Sequence, residues 1–218
     1  MTCNVIATGS SGNAVLLNDS VLVDCGVPFK ALQPYLRGLR LVLLTHRHGD
    51  HFKVETVRRL AQERPTLRFA CCPWMVEHLL QAGVSAKHID VCGIGAGICY
   101  GGNFTFEPFQ LFHDVDNCGW KIQMGEERML YATDTGTMDG VKAGGYDLYM
   151  IEANHTQAEI EERIQRKLES GEFIYEYRAA VGHLSREKAD AWLAENAIPG
   201  KSKVVYLHGH KEAESNAE

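Results

Sequence analysis

Short apolar runs bounded by turn residues alternate along the chain with stretches of helical periodicity. Residues 3–8, Ala14–Leu17 and 21–24 read as three strands, the last two joined through Asn18-Asp19-Ser20 as a hairpin. Residues 29–38 suggest a helix interrupted near Pro34. The unbroken apolar run 41–44 reads as a buried strand, because a strand covered on both faces needs no alternation. Val54–Glu63 is amphipathic through Val54, Val57, Leu60 and Ala61 and ends before Pro65. A strand over 67–71 precedes a helix over 73–82, which has proline in its first turn and Gly83 as its stop. From Asn103 the pattern is β-rich: FTFEPFQLFH, then 118–124 and 128–133 paired around Gly125-Glu126-Glu127, then 147–153. Thr156 with Glu159 forms a capping box for a helix to about Ser170, Ser185 caps a helix over 186–195, and Lys203–Leu207 is a final strand. The expected organisation is one domain over residues 1–218, with two β-rich halves that each carry helices on the outside.

The chemistry sits where strands stop. The run 41–44 delivers His46, His48, Asp50 and His51 into a tight loop. Period-2 spacing puts His46 and His48 on one side of an extended backbone, and Gly49 is expected to relax the chain so that Asp50 and His51 turn to the same point. Three imidazoles and a carboxylate within six residues suit a borderline divalent metal such as zinc. Other strands end in a similar way: Asp24 after 21–23, His113 after FTFEPFQLF, Asp134 after MLYAT, Asn154-His155 after 147–153, and His208-Gly209-His210 after the last strand. A carboxylate such as Asp24 is expected to accept the second N–H of a metal-bound histidine. The Gly9–Asn13 loop lacks a P-loop's Gly-Lys-Ser/Thr ending; it is either a plain connection or, through Ser10, Ser11 and Asn13, a set of donors for an anionic substrate. His78 and His88 read as outward-facing helix and loop residues.

Composition is that of an ordinary globular chain, 218 residues with 45% hydrophobic and 23% charged. The net charge of −6 provides no global basic field for long duplexes, though metals attract phosphate locally. Seven cysteines without a C-x-x-C pair read as reduced thiols, with Cys71 and Cys72 as packing residues. No signal peptide or membrane-spanning run is expected, so a cytoplasmic location with no membrane partner is.

Asp24, H46-x-H48-x-D50-H51, His113, Asp134 and His208 occur in the order found in metallo-β-lactamase-fold hydrolases, which the chain resembles over essentially its whole length. More narrowly, TGSSGN at 8–13, VDCG at 23–26, YATDTG at 131–136, EANH at 152–155 and GHLS at 182–185 resemble the YycJ-like (WalJ-like) branch. The resemblance implies an αββα sandwich, two internal mixed sheets with helices on the outer faces. It implies two divalent metals, zinc first and manganese or iron also suited. His46, His48 and His113 would hold one, Asp50, His51 and His208 the other, with Asp134 bridging. His208 directly follows the apolar strand and is preferred to His210 as the last ligand. Metals so placed would acidify a water between them, with Asp50 orienting it or accepting its proton. By the same resemblance His183 would serve the leaving oxygen. Asn154 and His155 start a helix, where backbone N–H groups favour anions, and would either line the phosphate or buttress Asp134.

The YycJ-like resemblance implies a metal-dependent phosphodiesterase acting on nucleic acid, with DNA exonuclease activity as the more specific form. The alternatives are hydrolysis of a small ester, thioester or cyclic phosphodiester, and a metal-holding regulatory protein without catalysis. Arg163, Arg166, Lys167, Arg178, Arg186 and Lys188 form either a track for a nucleic-acid backbone or a solvated helix face.

Overall fold

In the computed structural model, which describes residues 1–209, the strands build two six-stranded sheets. The first contains β1 (Cys3–Ala7), β2 (Ala14–Leu17), β3 (Val21–Val23), β4 (Leu41–Leu43), β5 (Arg68–Cys71) and β6 (Ile89–Val91), in that spatial order. The second runs β12 (Lys203–Leu207), β11 (Leu148–Glu152), β10 (Glu127–Ala132), β9 (Asn117–Met124), β8 (Phe104–Leu111) and β7 (Ile98–Cys99). Both are mixed. The hairpins β1–β2–β3 are antiparallel and β3 to β6 parallel; β7 to β10 are antiparallel and β10 to β12 parallel.

Side-chain alternation separates three apolar layers. In β2, Val15 and Leu17 face the second sheet while Ala14 and Leu16 join the outer layer. In β11, Leu148 and Met150 face inward while Tyr149 and Ile151 point out. The middle layer holds Trp120, Tyr131 and Phe106, all essentially inaccessible. Outside the first sheet lie α1 (Phe29–Leu32), α2 (Val54–Glu63) and α3 (Val76–Gln81), whose Leu32, Val57, Leu60 and Leu79 close one outer layer. Outside the second, α6 (Arg186–Asn196) closes the other with Ala189 and Leu193. With period 2 in the strands and a 3.6-residue stripe in the helices, burial of each face leads to this αββα stack, as expected.

The element expectations hold closely for α2, β12 and α4 (Gln157–Ser170), whose capping box is present in both directions. Three elements were not expected: β6, β7 and a short helix α5 (Glu176–Gly182). The 29–38 segment is one helical turn followed by a 3₁₀ turn at Gln33–Tyr35, with Pro34 at its start. Residues 73–82 likewise open with a 3₁₀ turn before α3. Gly49 is not in a left-handed conformation. Among the described residues six non-glycines are, Asn18, Asp19 and Asn103 in turns and Asp24, Asp134 and His208 at strand ends singled out for chemistry, with φ of 59°, 57° and 55° for the last three. Cys25, Cys71, Cys72, Cys92 and Cys118 are buried free thiols, Cys3 and Cys99 exposed ones.

Candidate metal centre

The strand directions bring the chemistry to one place. β3 and β4 are parallel, as are β10, β11 and β12, and β8 runs with β10 because two antiparallel steps separate them. Their C-terminal ends therefore share one edge of the sandwich, carrying Asp24, His46–His51, His113, Asp134, Glu152 and His208.

Potential ligand atoms of His46, His48 and His113 lie within 4.8 Å of one another, and those of Asp50, His51 and His208 do likewise. Asp134 groups with His46 and His51 at the same spacing, and its Oδ1 is 3.6 Å from His208 Nε2. The seven residues expected as ligands thus converge as two triads around one carboxylate. His210 lies outside the described residues.

The donor set fits divalent cations on an observation independent of motif. His51 Nδ1 donates to buried Asp24 at 2.7 Å, which leaves Nε2 with a lone pair facing Asp134 Oδ2 at 2.7 Å. Two acceptors at that distance repel unless a proton or a cation stands between them. Asp134 Oδ2 and His208 Nε2 are also buried without a well-formed hydrogen bond. Burial opposes protonation of His51, yet Asp134 and Asp24 on its two sides outweigh burial and push its pKa well up. His208 is raised to about 10, against burial, by the nearby Asp50 and Glu152 carboxylates. His46 and His113 are pushed down, chiefly by burial, and so stay neutral as ligands require. Asp134 would be raised by burial, but His51 and His208 outweigh it and hold it well below the usual carboxylate range. Three carboxylates, Asp50, Asp134 and Glu152, thus recruit protons onto imidazoles where a divalent metal would supply the charge.

Asp24 takes the place expected of it, accepting from the Thr45 backbone N–H and hydroxyl as well as from His51. The Gly26 backbone packs so closely on the Asp50 carbonyl that any Cβ would collide with it, which fixes the Asp50–His51 turn. Asn13 is not a cleft residue. It is buried, receives the Gly9 N–H on its side-chain oxygen, and holds its amide against the Gly9 and Asp50 carbonyls and, at 2.8 Å, against His51 Nε2. Ser10 and Ser11 do line the cleft. Asn154 also lines it, and its amide donates to the His208 carbonyl at 3.0 Å, so it buttresses His208 and not Asp134. His155 is buried beside Ser185 and is not among the cleft-lining residues.

Glu152 is the residue that sequence reasoning passed over. It ends β11, is fully buried, accepts from His183 Nδ1 at 2.6 Å and from the backbone N–H groups of Thr135 and Leu184, and faces His208 Nδ1 at 3.2 Å. The available signal was the one that marked Asp24 and Asp134, a carboxylate closing an apolar strand. His183 stacks on His208 at 5.2 Å, and burial, which would lower its pKa, is outweighed by Glu152 and Asp134, so the pKa is raised.

A cleft of about 1090 Å³ opens over this cluster, bounded by Ser10, Ser11, His113, His183, His208 and α5. A smaller one of about 620 Å³ lies across the His113-Asp114 ridge and includes Arg47, Trp74 and His78. His78 is therefore half-buried in a cleft wall, not simply outward-facing. Of the two readings of the basic residues, the helix-face one fits three of them, which are paired locally: Lys167 with Glu176, Arg186 with Asp190, and Lys188 on the Gly136 carbonyl. Of those six cations only Arg178 lines the large cleft. No helix among the described residues is long and apolar enough to cross a membrane.

Residues 19–208 match the family model described as the beta-lactamase superfamily domain. The chain is 24% identical over 222 residues to the exodeoxyribonuclease YycJ of Bacillus anthracis, covering 94% of this chain and 80% of that protein. Among solved structures it is similar to the metallo-β-lactamase fold protein YhfI from Bacillus subtilis, with TM-score 0.73, 19% identity, and 96% and 87% of the two chains covered. It is similar also to the short form of human tRNase Z, with TM-score 0.70, 15% identity, and 97% and 93% covered.

Proposed function

The chain belongs to the β-lactamase superfamily, and from that premise we propose that it is a metal-dependent phosphodiesterase acting on nucleic acid, in its more specific form a DNA exonuclease. The superfamily's fold implies divalent metal ions. Here His46, His48 and His113 would hold one, and Asp50, His51 and His208 the other, with Asp134 shared; histidine and carboxylate donors suit zinc first, manganese or iron next. Two cations so held would neutralise charge on phosphoryl oxygens and acidify water.

The rest falls to the chain itself. Asp24 keeps the His51 ring in the tautomer whose Nε2 is bare. Asp50, a quarter exposed, is the carboxylate of the cluster open enough to orient an attacking water and take its proton. His183 gives Nδ1–H to Glu152, which leaves Nε2 of a cleft-lining ring as the atom that hands a proton to the departing oxygen.

That last arrangement is the observation that carries the reading. His183 is not one of the seven proposed ligands, so its Glu152-anchored imidazole is left for proton delivery, which expelling a sugar alkoxide needs. The likeness to an exodeoxyribonuclease of B. anthracis supports DNA as substrate; the likeness to the human tRNase Z is why RNA belongs in the assay.

The test is metal content and cleavage measured on one sample. Metals per chain are counted by mass spectrometry. Single- and double-stranded DNA, RNA and bis(4-nitrophenyl) phosphate are then incubated with zinc or manganese. Two metals per chain and metal-dependent cleavage of DNA that Asp50→Ala abolishes are expected. A fully metallated protein that cleaves no nucleic acid would overturn the proposal, and a protein that binds no metal would overturn its chemistry as well.

A further inference from the structure

Large apolar side chains are exposed in unusual density between the end of α4 and the end of α5: Leu168, Phe173, Tyr175, Tyr177 and Val181. Such a patch beside a catalytic cleft calls for an occupant. Tyr175, Tyr177 and Val181 belong to the cleft wall itself, in the same volume of about 1090 Å³ that reaches His183 and His208.

The patch is tied to its surroundings at both ends of α5. Glu176, between the two tyrosines, is buried and paired with Lys167 at 2.8 Å. Lys167 Nζ lies 3.9 Å from the centre of the Tyr175 ring, so one face of that ring is covered and the remainder is left to the cleft. At the other end of α5 the Gly182 carbonyl accepts from His113 Nδ1 at 3.1 Å, and Gly136 has no room for a Cβ against the Val181 carbonyl. The tyrosines are thus tied through α5 to a proposed metal-binding histidine. Tyr177 is 54% exposed and makes no aromatic or cation contact with any described residue. Arg178, next in sequence, is the cation of this wall, and Ser10 and Ser11 line the same cleft.

We propose that Tyr175 and Tyr177 form a stacking platform for an unpaired base at the end of a single-stranded nucleic acid, with Arg178 on its phosphate. This rests on the phosphodiesterase reading above and adds the state of the substrate. Aromatic faces bind bases with little regard to sequence, and they need a base whose own face is free. Inside a duplex both faces of a base are covered by its neighbours; at a frayed or single-stranded end one is open. An arginine beside exposed tyrosines supplies the phosphate contact that a purely apolar occupant would leave unused.

The test uses the metal-loaded protein and phosphorothioate oligonucleotides with 2-aminopurine at either the 5′ or the 3′ end, since stacking quenches that base. Quenching by the wild type, kept by Tyr177→Phe and lost by Tyr177→Ala, is expected for one of the two ends. Tyr177→Ala should raise KM for single-stranded DNA by roughly 5- to 150-fold, the range for loss of one stacked base. Its metal content and its turnover of methyl 4-nitrophenyl phosphate, which carries no base, should be unchanged. Equal KM values for wild type and Tyr177→Ala would overturn the platform while leaving the phosphodiesterase reading intact. A wild type that neither binds nor cleaves nucleic acid overturns both. A change of oligomeric state in Tyr177→Ala, seen by sedimentation, would assign the patch to a second copy of the chain instead.

Discussion

Replacing Glu152 by glutamine tests whether this buried carboxylate serves proton delivery or mere packing. Its Oε2 accepts the backbone N–H groups of Thr135 and Leu184 at 3.0 and 3.1 Å, contacts that a glutamine carbonyl oxygen reproduces. Its Oε1 accepts Nδ1–H of His183 at 2.6 Å and faces Nδ1 of His208 at 3.2 Å, where glutamine would present an NH₂ group instead. Two donors cannot face each other, so the His183 ring must shift its proton to Nε2 or turn away. A charge-assisted hydrogen bond is worth about 1.5–3 kcal/mol, and it is lost. The ring also loses the charge that holds its pKa up against burial. Positioned acids contribute about 10²–10⁴-fold, or roughly 2.7–5.5 kcal/mol of barrier.

The loss must depend on the leaving group. An alkoxide needs the proton and should show a drop of about 10²-fold or more, whereas 4-nitrophenolate departs without it and should be nearly unaffected. The protonated form of His183 is the active one, so its contribution is present at low pH and lost as pH rises through its raised pKa. Without Glu152 the alkaline limb of the rate profile should move to lower pH. His183→Ala should reproduce the leaving-group dependence and keep its metal. Equal losses on both substrates, with an unmoved pH limb, would refute the assignment and leave Glu152 a structural residue.

Other consequences concern the cluster and its frame. Asp134→Asn removes the carboxylate shared by both triads and should abolish activity together with metal binding, read as metals per chain. Because His51 and His208 are both raised above their ordinary values without metal, binding must displace two protons. Chelator competition near neutrality should then show the log of apparent affinity rising with a slope approaching two per pH unit, and a flat profile would contradict the donor set. Gly26→Ala forces a Cβ against the Asp50 carbonyl and should cost about 1–3 kcal/mol in denaturant unfolding, with weakened metal affinity, whereas Gly49→Ala meets open space and should cost far less. Trp120→Ala should cost about 3–5 kcal/mol in the same measurement. Trp120→Phe should cost much less, since the indole N–H it removes is buried without a partner.

What could be read in the chain and what could not separate along a physical line. Strands β2, β3 and β4 are buried on both faces and announce themselves as apolar runs, and α4 announces itself by its capping box. Residues that chemistry places at strand ends were legible for the same reason, because a polar group closing an apolar run is visible in one dimension. Glu152 carried that signal but drew no role, since its partners His183 and His208 come from a loop and another strand that meet it only in space. A Gly-Ser loop suits either a connection or anion binding, and for Asn13 only the fold decides: its amide is committed to the Gly9 and Asp50 carbonyls and to His51 Nε2. The left-handed conformations of Asp24, Asp134 and His208 have no sequence signature, being imposed by the surrounding packing. Helix α5 was hidden for the opposite reason to β4. It buries little beyond Glu176, has no side-chain cap, and owes its place to an ion pair and two backbone contacts. An element with so little core of its own leaves most of its surface to the cleft. The part of the chain hardest to foresee is therefore the part free to meet a substrate.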